Sequence, residues 1–199
     1  MKKLILLPTL FLATILFAQK GYKIGDVVED FSLKNIDGEM LSMSDNSEAK
    51  GFIVTFTCNH CPYAVRYEDR LVDLDKKYAA LGYPVLAINP NDVVRKPADS
   101  FEKMQVRAKE KGFTFPYLVD NTQDIARAFG ATRTPHVFIV EKQKDEFILK
   151  YIGAIDDSPQ DVAEVDEKFV ENAVDSLLAG KDPKQNFTKA IGCTIKWKE

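Results

Sequence analysis

Gly51-Phe52-Ile53-Val54-Thr55-Phe56-Thr57-Cys58-Asn59-His60-Cys61-Pro62 is the stretch of this 199-residue chain that decides its fold. Its first six residues form a near-continuous apolar, β-branched run, which reads as a strand buried on both faces. Two cysteines follow at once. Pro62 suits the first turn of a helix, where a missing N–H costs nothing. Leu71, Leu74, Tyr78 and Leu81 then keep helical spacing, and Gly82 ends the helix. The cysteines therefore sit where a buried strand hands over to a helix.

That junction has chemical consequences. A helix N-terminus offers free N–H groups and about half a positive charge. A thiolate there is stabilised, and its pKa falls from about 8.5 toward roughly 3.5–7.5. Cys58 is expected at the exposed edge as nucleophile. Cys61, one turn along, is expected to resolve the mixed disulfide. His60, between them, is a candidate for tuning the thiolate; a solvent-facing His60 with no role is the plain alternative. A structural zinc site needs four ligands, often from a second CxxC. Only His60, His136 and Cys193 remain to supply them. Haem attachment needs a His after the second Cys, where Pro62 stands. No cofactor and no resident metal are expected.

Working outward, Phe31-Ser32-Leu33 and Met40-Leu41-Ser42-Met43 flank Asp37-Gly38 and read as a hairpin. Pro84 to Ile88 reads as a second buried strand, followed by the loop Asn89-Pro90-Asn91-Asp92. A charged helix over 98–111 ends at Gly112. A short strand, Tyr117-Leu118-Val119, and a short helix, Thr122 to Phe129, come next. Val137–Val140 and Phe147–Ile152 are strands joined by a polar turn. A last helix is expected over 159–179, with Val162, Val165, Phe169, Ala173 and Leu177 as its buried stripe. Strands alternating with helices imply an α/β fold, a mixed sheet flanked by helices on both faces, with an N-terminal hairpin extension. Arg133-Thr134-Pro135-His136 precedes a buried strand, and a Pro there belongs at a strand start or an edge.

Together these pieces resemble the thioredoxin-like redoxins, in particular the peroxiredoxin-like, AhpC/TSA-related branch of the thioredoxin superfamily. The resemblance runs from about Asp30 to Ile152. It rests on Asp30-Phe31-Ser32-Leu33 with Asp37-Gly38, on Thr55 to Tyr63, and on Asn89-Pro90-Asn91-Asp92. Phe115-Pro116 with Asp120, then Gly130 and Thr134-Pro135, complete it. It implies a thioredoxin fold, a cis Pro135 facing the CxxC, and Thr134 as the residue that hydrogen-bonds the substrate backbone. Two departures stand out. Many thioredoxins carry an acidic residue in the strand before the motif, as proton acceptor for the resolving Cys. Residues 52–57 have none, which leaves water or Glu68 as candidates. Thr55, three residues before Cys58, also resembles the Thr that orients peroxide in peroxiredoxins. The Arg of such sites has no direct counterpart, since Pro135 takes its place with Arg133 nearby.

The chain begins with Lys2-Lys3, an apolar run from Leu4 to Phe17 and a small Ala18. This pattern reads as a signal peptide over 1–18. The run, about 14 residues, is short of the roughly 20 that a spanning helix needs, so no stable membrane span is expected after cleavage. Residues 19–181 are expected to form the redoxin domain and 182–199 a tail carrying Cys193. Removing Lys2 and Lys3 leaves 25 basic against 30 acidic side chains, a net charge of −5, which disfavours nucleic acid as a partner. Export implies a periplasmic or other extracytoplasmic location.

Three activities follow from these residues. The first is a thiol–disulfide oxidoreductase that exchanges a Cys58–Cys61 disulfide with protein thiols and an unknown redox partner. Second is a thiol peroxidase with Cys58 as peroxidatic residue. Third is a copper-binding module using Cys58, Cys61 and His136, since soft thiolates with an imidazole suit Cu(I). Cys193 is either a small buried residue or a third redox thiol that folds back toward the CxxC.

Overall fold

A computed structural model describes residues 21–199. The expected signal peptide and its cleavage lie outside the described residues, among which no helix is long and apolar enough to cross a membrane.

The quoted run forms β4 (Gly51–Phe56), with all six residues buried. It is the centre of an eight-stranded sheet. On one side it pairs antiparallel with β8 (His136–Gln143), Phe56 opposite His136. On the other it runs parallel to β5 (Val85–Asn89), Phe56 opposite Ile88. Beyond β8 lie β9 (Glu146–Gly153) and β1 (Val27–Val28), both antiparallel. Beyond β5 lie β6 (Tyr117–Val119), then the hairpin of β2 (Ser32–Asn35) and β3 (Met40–Ser42) around the Asp37-Gly38 turn.

The two faces of β4 follow its alternation. Ile53, with Val85, Ala87, Val137 and Ile139, packs under α1 (Pro62–Tyr78), α2 (Phe101–Lys111) and α4 (Phe169–Leu178). Leu71 and Leu74 of α1 are among the buried residues, each contributing roughly 1.5–3 kcal/mol through burial. Phe52, Val54 and Phe56 face the other way, toward α3 (Asp124–Phe129). There Phe129 meets the rings of Tyr22, Phe31, Phe56 and Phe138 edge-on. Gly82 follows the last turn of the first helix at φ +98°, a conformation that few side chains tolerate. The result is a thioredoxin-type fold.

The last helix is shorter than its periodicity suggests. It begins at Phe169, not near residue 159, and Val162 is 65% exposed. Local side-chain bonds win over helix in residues 156–167. Asp156 is held by Tyr67 Oη (2.7 Å) and Arg70 Nη1 (2.6 Å), and it accepts the Ser158 amide. Asp161 caps one short 3-10 turn, Val162–Glu164, through the Ala163 amide. Asp157 accepts the Asp166 amide and folds the loop back on itself.

Residues 182–199 are knitted into the same unit. The Thr188 hydroxyl accepts the Ala154 amide and lies 2.6 Å from Tyr151 Oη. Ile195 is buried in the α3-side core, and Arg127 stacks on the Trp197 ring at 4.4 Å. Between them β10 (Cys193–Thr194) pairs antiparallel with β7 (Arg133–Thr134), Cys193 opposite Thr134.

Candidate active site

β4 ends beside β5, where the Thr57 amide bonds the Ile88 carbonyl. Cys58 lies in the short link that follows. Cys61 is the N-cap of α1, with extended backbone (φ −68°, ψ 124°) and Pro62 in the first turn. The Thr134–Pro135 peptide bond is cis. Thr134 stands between the two sulfurs: its Oγ1 is 3.3 Å from Cys58 Sγ, and its carbonyl oxygen is 3.2 Å from Cys61 Sγ. The structure thus brings together Cys58, Cys61, Thr134 and Pro135 from the end of β4, the start of α1 and the junction of β7 with β8.

Two features correct the sequence reading. First, Cys61 is disulfide-bonded to Cys193, not to Cys58, with Cα atoms 6.0 Å apart. Cys58 is the free thiol. The fold permits this because β10 lies directly across Thr134. Gly192 is what allows that approach: a Cβ there would fall 2.3 Å from the Thr134 carbonyl oxygen. Second, Cys58 is covered, at 2% exposure, where an open edge was expected. Burial pushes its pKa up, and the Asp99 carboxylate adds to the rise. The Thr134 hydroxyl and the Cys61 and His60 backbone act in the opposite direction, and desolvation outweighs them. The helix N-terminus is present, but in this disulfide state it does not yield an exposed, low-pKa thiolate.

Asp99 is the residue that sequence reasoning missed. It ends a 3-10 turn (Pro97–Asp99) after β5, and it is buried. Its carboxylate accepts the Asn59 amide (2.9 Å), Asn91 Nδ2 (2.8 Å) and His60 Nδ1 (2.6 Å). A carboxylate only accepts, so His60 carries its proton on Nδ1. Asn59 Nδ2 also donates to the Ala98 carbonyl, and Tyr117 Oη donates to Asn59 Oδ1. Both middle residues of the CxxC are therefore clamped to one turn. The Pro97-Ala98-Asp99 sequence carries no sign of this; its Asp resembles many surface acids.

Glu68, one candidate proton acceptor, is engaged elsewhere: Arg107 grips both its oxygens at 2.7 Å. Thr55 is fully buried, and its Oγ1 has no hydrogen-bond partner among the described residues. Arg133 donates to the Gly192 carbonyl. His136 does not join a metal set with the cysteines. Its Nδ1 accepts the Thr132 amide, its ring lies against Phe138, and burial lowers its pKa to about 4. Cys61, bonded to Cys193, is not available as a ligand in this state. Among the described residues, Cys58, His60 and Asp99 bring possible ligand atoms within 4.8 Å of one another.

Known proteins resemble this chain to different degrees. The crystal structure of a hypothetical protein from Sinorhizobium meliloti 1021 superposes with a TM-score of 0.82 at 33% identity, over 89% of this chain and 96% of that one. An uncharacterized conserved protein from Geobacillus kaustophilus gives 0.81 at 35%, over 88% and 93%. A thiol-disulfide oxidoreductase ResA from Geobacillus thermodenitrificans is 27% identical over 119 residues. That match takes in 60% of this chain and 64% of the relative, so the chain spans slightly under two thirds of that protein's length. The pattern that defines AhpC/TSA proteins runs through residues 24–156, from before the hairpin to just past the end of β9. On that match the chain belongs to the AhpC/TSA family, within the thioredoxin superfamily.

Proposed function

We propose that this protein is an extracytoplasmic thiol–disulfide oxidoreductase that acts on protein thiols and disulfides through Cys58 and Cys61. One observation carries the reading: both sulfurs lie within 3.3 Å of Thr134, at the start of α1 and beside the cis Pro135. Two sulfurs held against one residue are placed to exchange a disulfide without large backbone movement. The ResA relative, a thiol-disulfide oxidoreductase by name, supports the same chemistry. The Lys2-Lys3 start and the apolar run after it support export, and an oxidising compartment suits a disulfide cycle.

Turnover of insulin disulfides by the purified protein is the direct test. Activity is expected in wild type and lost in Cys58→Ser; a wild type inert toward every protein disulfide tried removes the reading. Direction follows from the reduction potential. A value near about −270 mV marks a reductase, and one near about −120 mV an oxidant.

A second reading, thiol peroxidase, draws on Thr55. Its unpartnered hydroxyl, three residues before Cys58, has the spacing of a group that orients peroxide. Cys58 would then pass through a sulfenic acid before forming a disulfide. Stopped-flow peroxide consumption separates the two readings, and a rate no faster than that of free cysteine eliminates this one.

A further inference from the structure

Cys193 is placed with unusual care for a residue so near a chain end. On its N-terminal side, Gly192 supplies the close approach to Thr134 described above. On its C-terminal side, the Ile195 amide bonds the Thr132 carbonyl (3.4 Å). That bond carries the antiparallel register of Cys193 opposite Thr134 and Thr194 opposite Arg133 one residue further. The Lys196 amide then bonds Asn91 Oδ1 (2.8 Å), the Asp92 amide bonds the Lys196 carbonyl (2.9 Å), and Gln123 Nε2 bonds the same carbonyl (2.9 Å). Cys193 is held at the site by its backbone, on both sides, independently of its own sulfur.

The three sulfurs form one small cluster. Cys58, Cys61 and Ala64 are packed together, with Cys193 and Tyr63 against them. Cys58 and Cys61 are buried, whereas Cys193 is partly exposed. The free Cys58 and the bonded Cys61 share Thr134 as a neighbour.

We propose that Cys193 is a third catalytic thiol, and that Cys61 is the pivot of an internal exchange that moves one disulfide between Cys58–Cys61 and Cys61–Cys193. The proposal rests on the oxidoreductase reading above and names what that site exchanges with inside its own chain. The Cys58 thiol loses its proton to solvent, and the thiolate attacks Cys61 Sγ. The Cys58–Cys61 bond forms as the Cys61–Cys193 bond breaks. The bonding electron pair leaves with Cys193 Sγ, which takes up a proton. One disulfide exists before and after, so no outside oxidant or reductant enters the step. Tethering gives the third thiol a high effective concentration at Cys61, which an outside thiol must exceed to compete. The step moves the disulfide from a bond with one partly exposed end to a bond between two covered sulfurs, and its reverse returns the disulfide to the exposed end.

The test is a thiol map of the full chain carrying one disulfide, prepared with one equivalent of oxidised glutathione. Acid quenching, alkylation and peptide mass analysis then read which cysteines are free. The expected result is a mixture: molecules alkylated at Cys58 with Cys61 linked to Cys193, and molecules alkylated at Cys193 with Cys58 linked to Cys61. Cys58→Ser is expected to collect entirely in the first link and Cys193→Ser entirely in the second. Quantitative alkylation of Cys193 in folded, singly oxidised wild type overturns the proposal, and needs no variant to fold. The two readings fail separately. Both links present without turnover of insulin removes the oxidoreductase activity and keeps the exchange. Turnover in wild type with no Cys61–Cys193 link removes the exchange alone.

Discussion

The His60 imidazole donates from Nδ1 to Asp99 Oδ2 at 2.6 Å, which ties the middle of the CxxC to a turn that lies on a different strand connection. The same carboxylate holds the Asn59 amide and adds negative potential at Cys58. Asp99 therefore stabilises the loop and opposes the Cys58 thiolate together.

Asp99→Asn is expected to act in both senses. Removing the charge lowers the Cys58 pKa, because a negative neighbour that raised it is gone. Weakening the bonds to His60 and Asn59 costs about 1.5–3 kcal/mol of stability, the usual worth of a hydrogen bond to a charged group. Cys58 is the free thiol when Cys61 and Cys193 are linked, so iodoacetamide labelling across pH, read at the Cys58 peptide by mass analysis, reports on that thiol. A midpoint that stays put or rises in the variant contradicts the assignment.

Thr134→Val should move Cys58 the other way. The Thr134 hydroxyl is 3.3 Å from Cys58 Sγ and lowers its pKa. Valine keeps the shape and removes the bond, so the thiolate loses a partner and labelling at neutral pH slows. Equal labelling rates in variant and wild type count against a role for that hydroxyl.

Much of this site was legible in sequence. The β4 run, the Cys58–Cys61 spacing and Pro62 together place two cysteines at a strand–helix junction, and the structure has them there. Thr134-Pro135 before a strand was equally readable, because proline's missing donor restricts where it sits. The partner of Cys61 was legible only as an alternative, Cys193 folding back toward the CxxC: 132 residues separate the two, and no local pattern encodes such a pairing. Asp99 was hidden for a related reason, since its role comes from the position of a loop and not from its neighbours in sequence. The misplaced start of α4 is different in kind. Val162 and Val165 have helical spacing by coincidence, while Asp156, Asp157 and Asp161 bind backbone amides in a competing loop.

His136 makes folding stability depend on pH. Its pKa falls from 6.5 to about 4 because burial disfavours the charged ring. Below pH 6.5 the unfolded chain takes up a proton that the folded one refuses until about pH 4. The unfolded state binds more protons in that window, so this contribution is complete above it and is lost as the pH falls through it. The loss amounts to something on the order of 3 kcal/mol. His136→Asn keeps an acceptor for the Thr132 amide and does not titrate. Urea melts of the two proteins from pH 7 to pH 4 are expected to converge as the wild type loses its advantage; parallel curves would show that His136 is not the group responsible.

Gly192 tests whether the docking of β10 controls the site. Any Cβ at residue 192 meets backbone, at 2.3 Å from the Thr134 carbonyl oxygen and 3.1 Å from the Pro135 nitrogen. A flexible side chain could move aside, but the atom met here is the backbone carbonyl of the paired strand, so Gly192→Ala is expected to push β10 outward. Cys193 then leaves bonding range of Cys61, and the cover over Cys58 opens. Three readouts should change together: less Cys61–Cys193 link in the thiol map, faster labelling of Cys58, and a loss of stability of about 1–3 kcal/mol, typical of overpacking. A Gly192→Ala protein with a wild-type thiol map and wild-type Cys58 labelling would mean that the close approach of residue 192 to Thr134 does not govern access to the sulfurs.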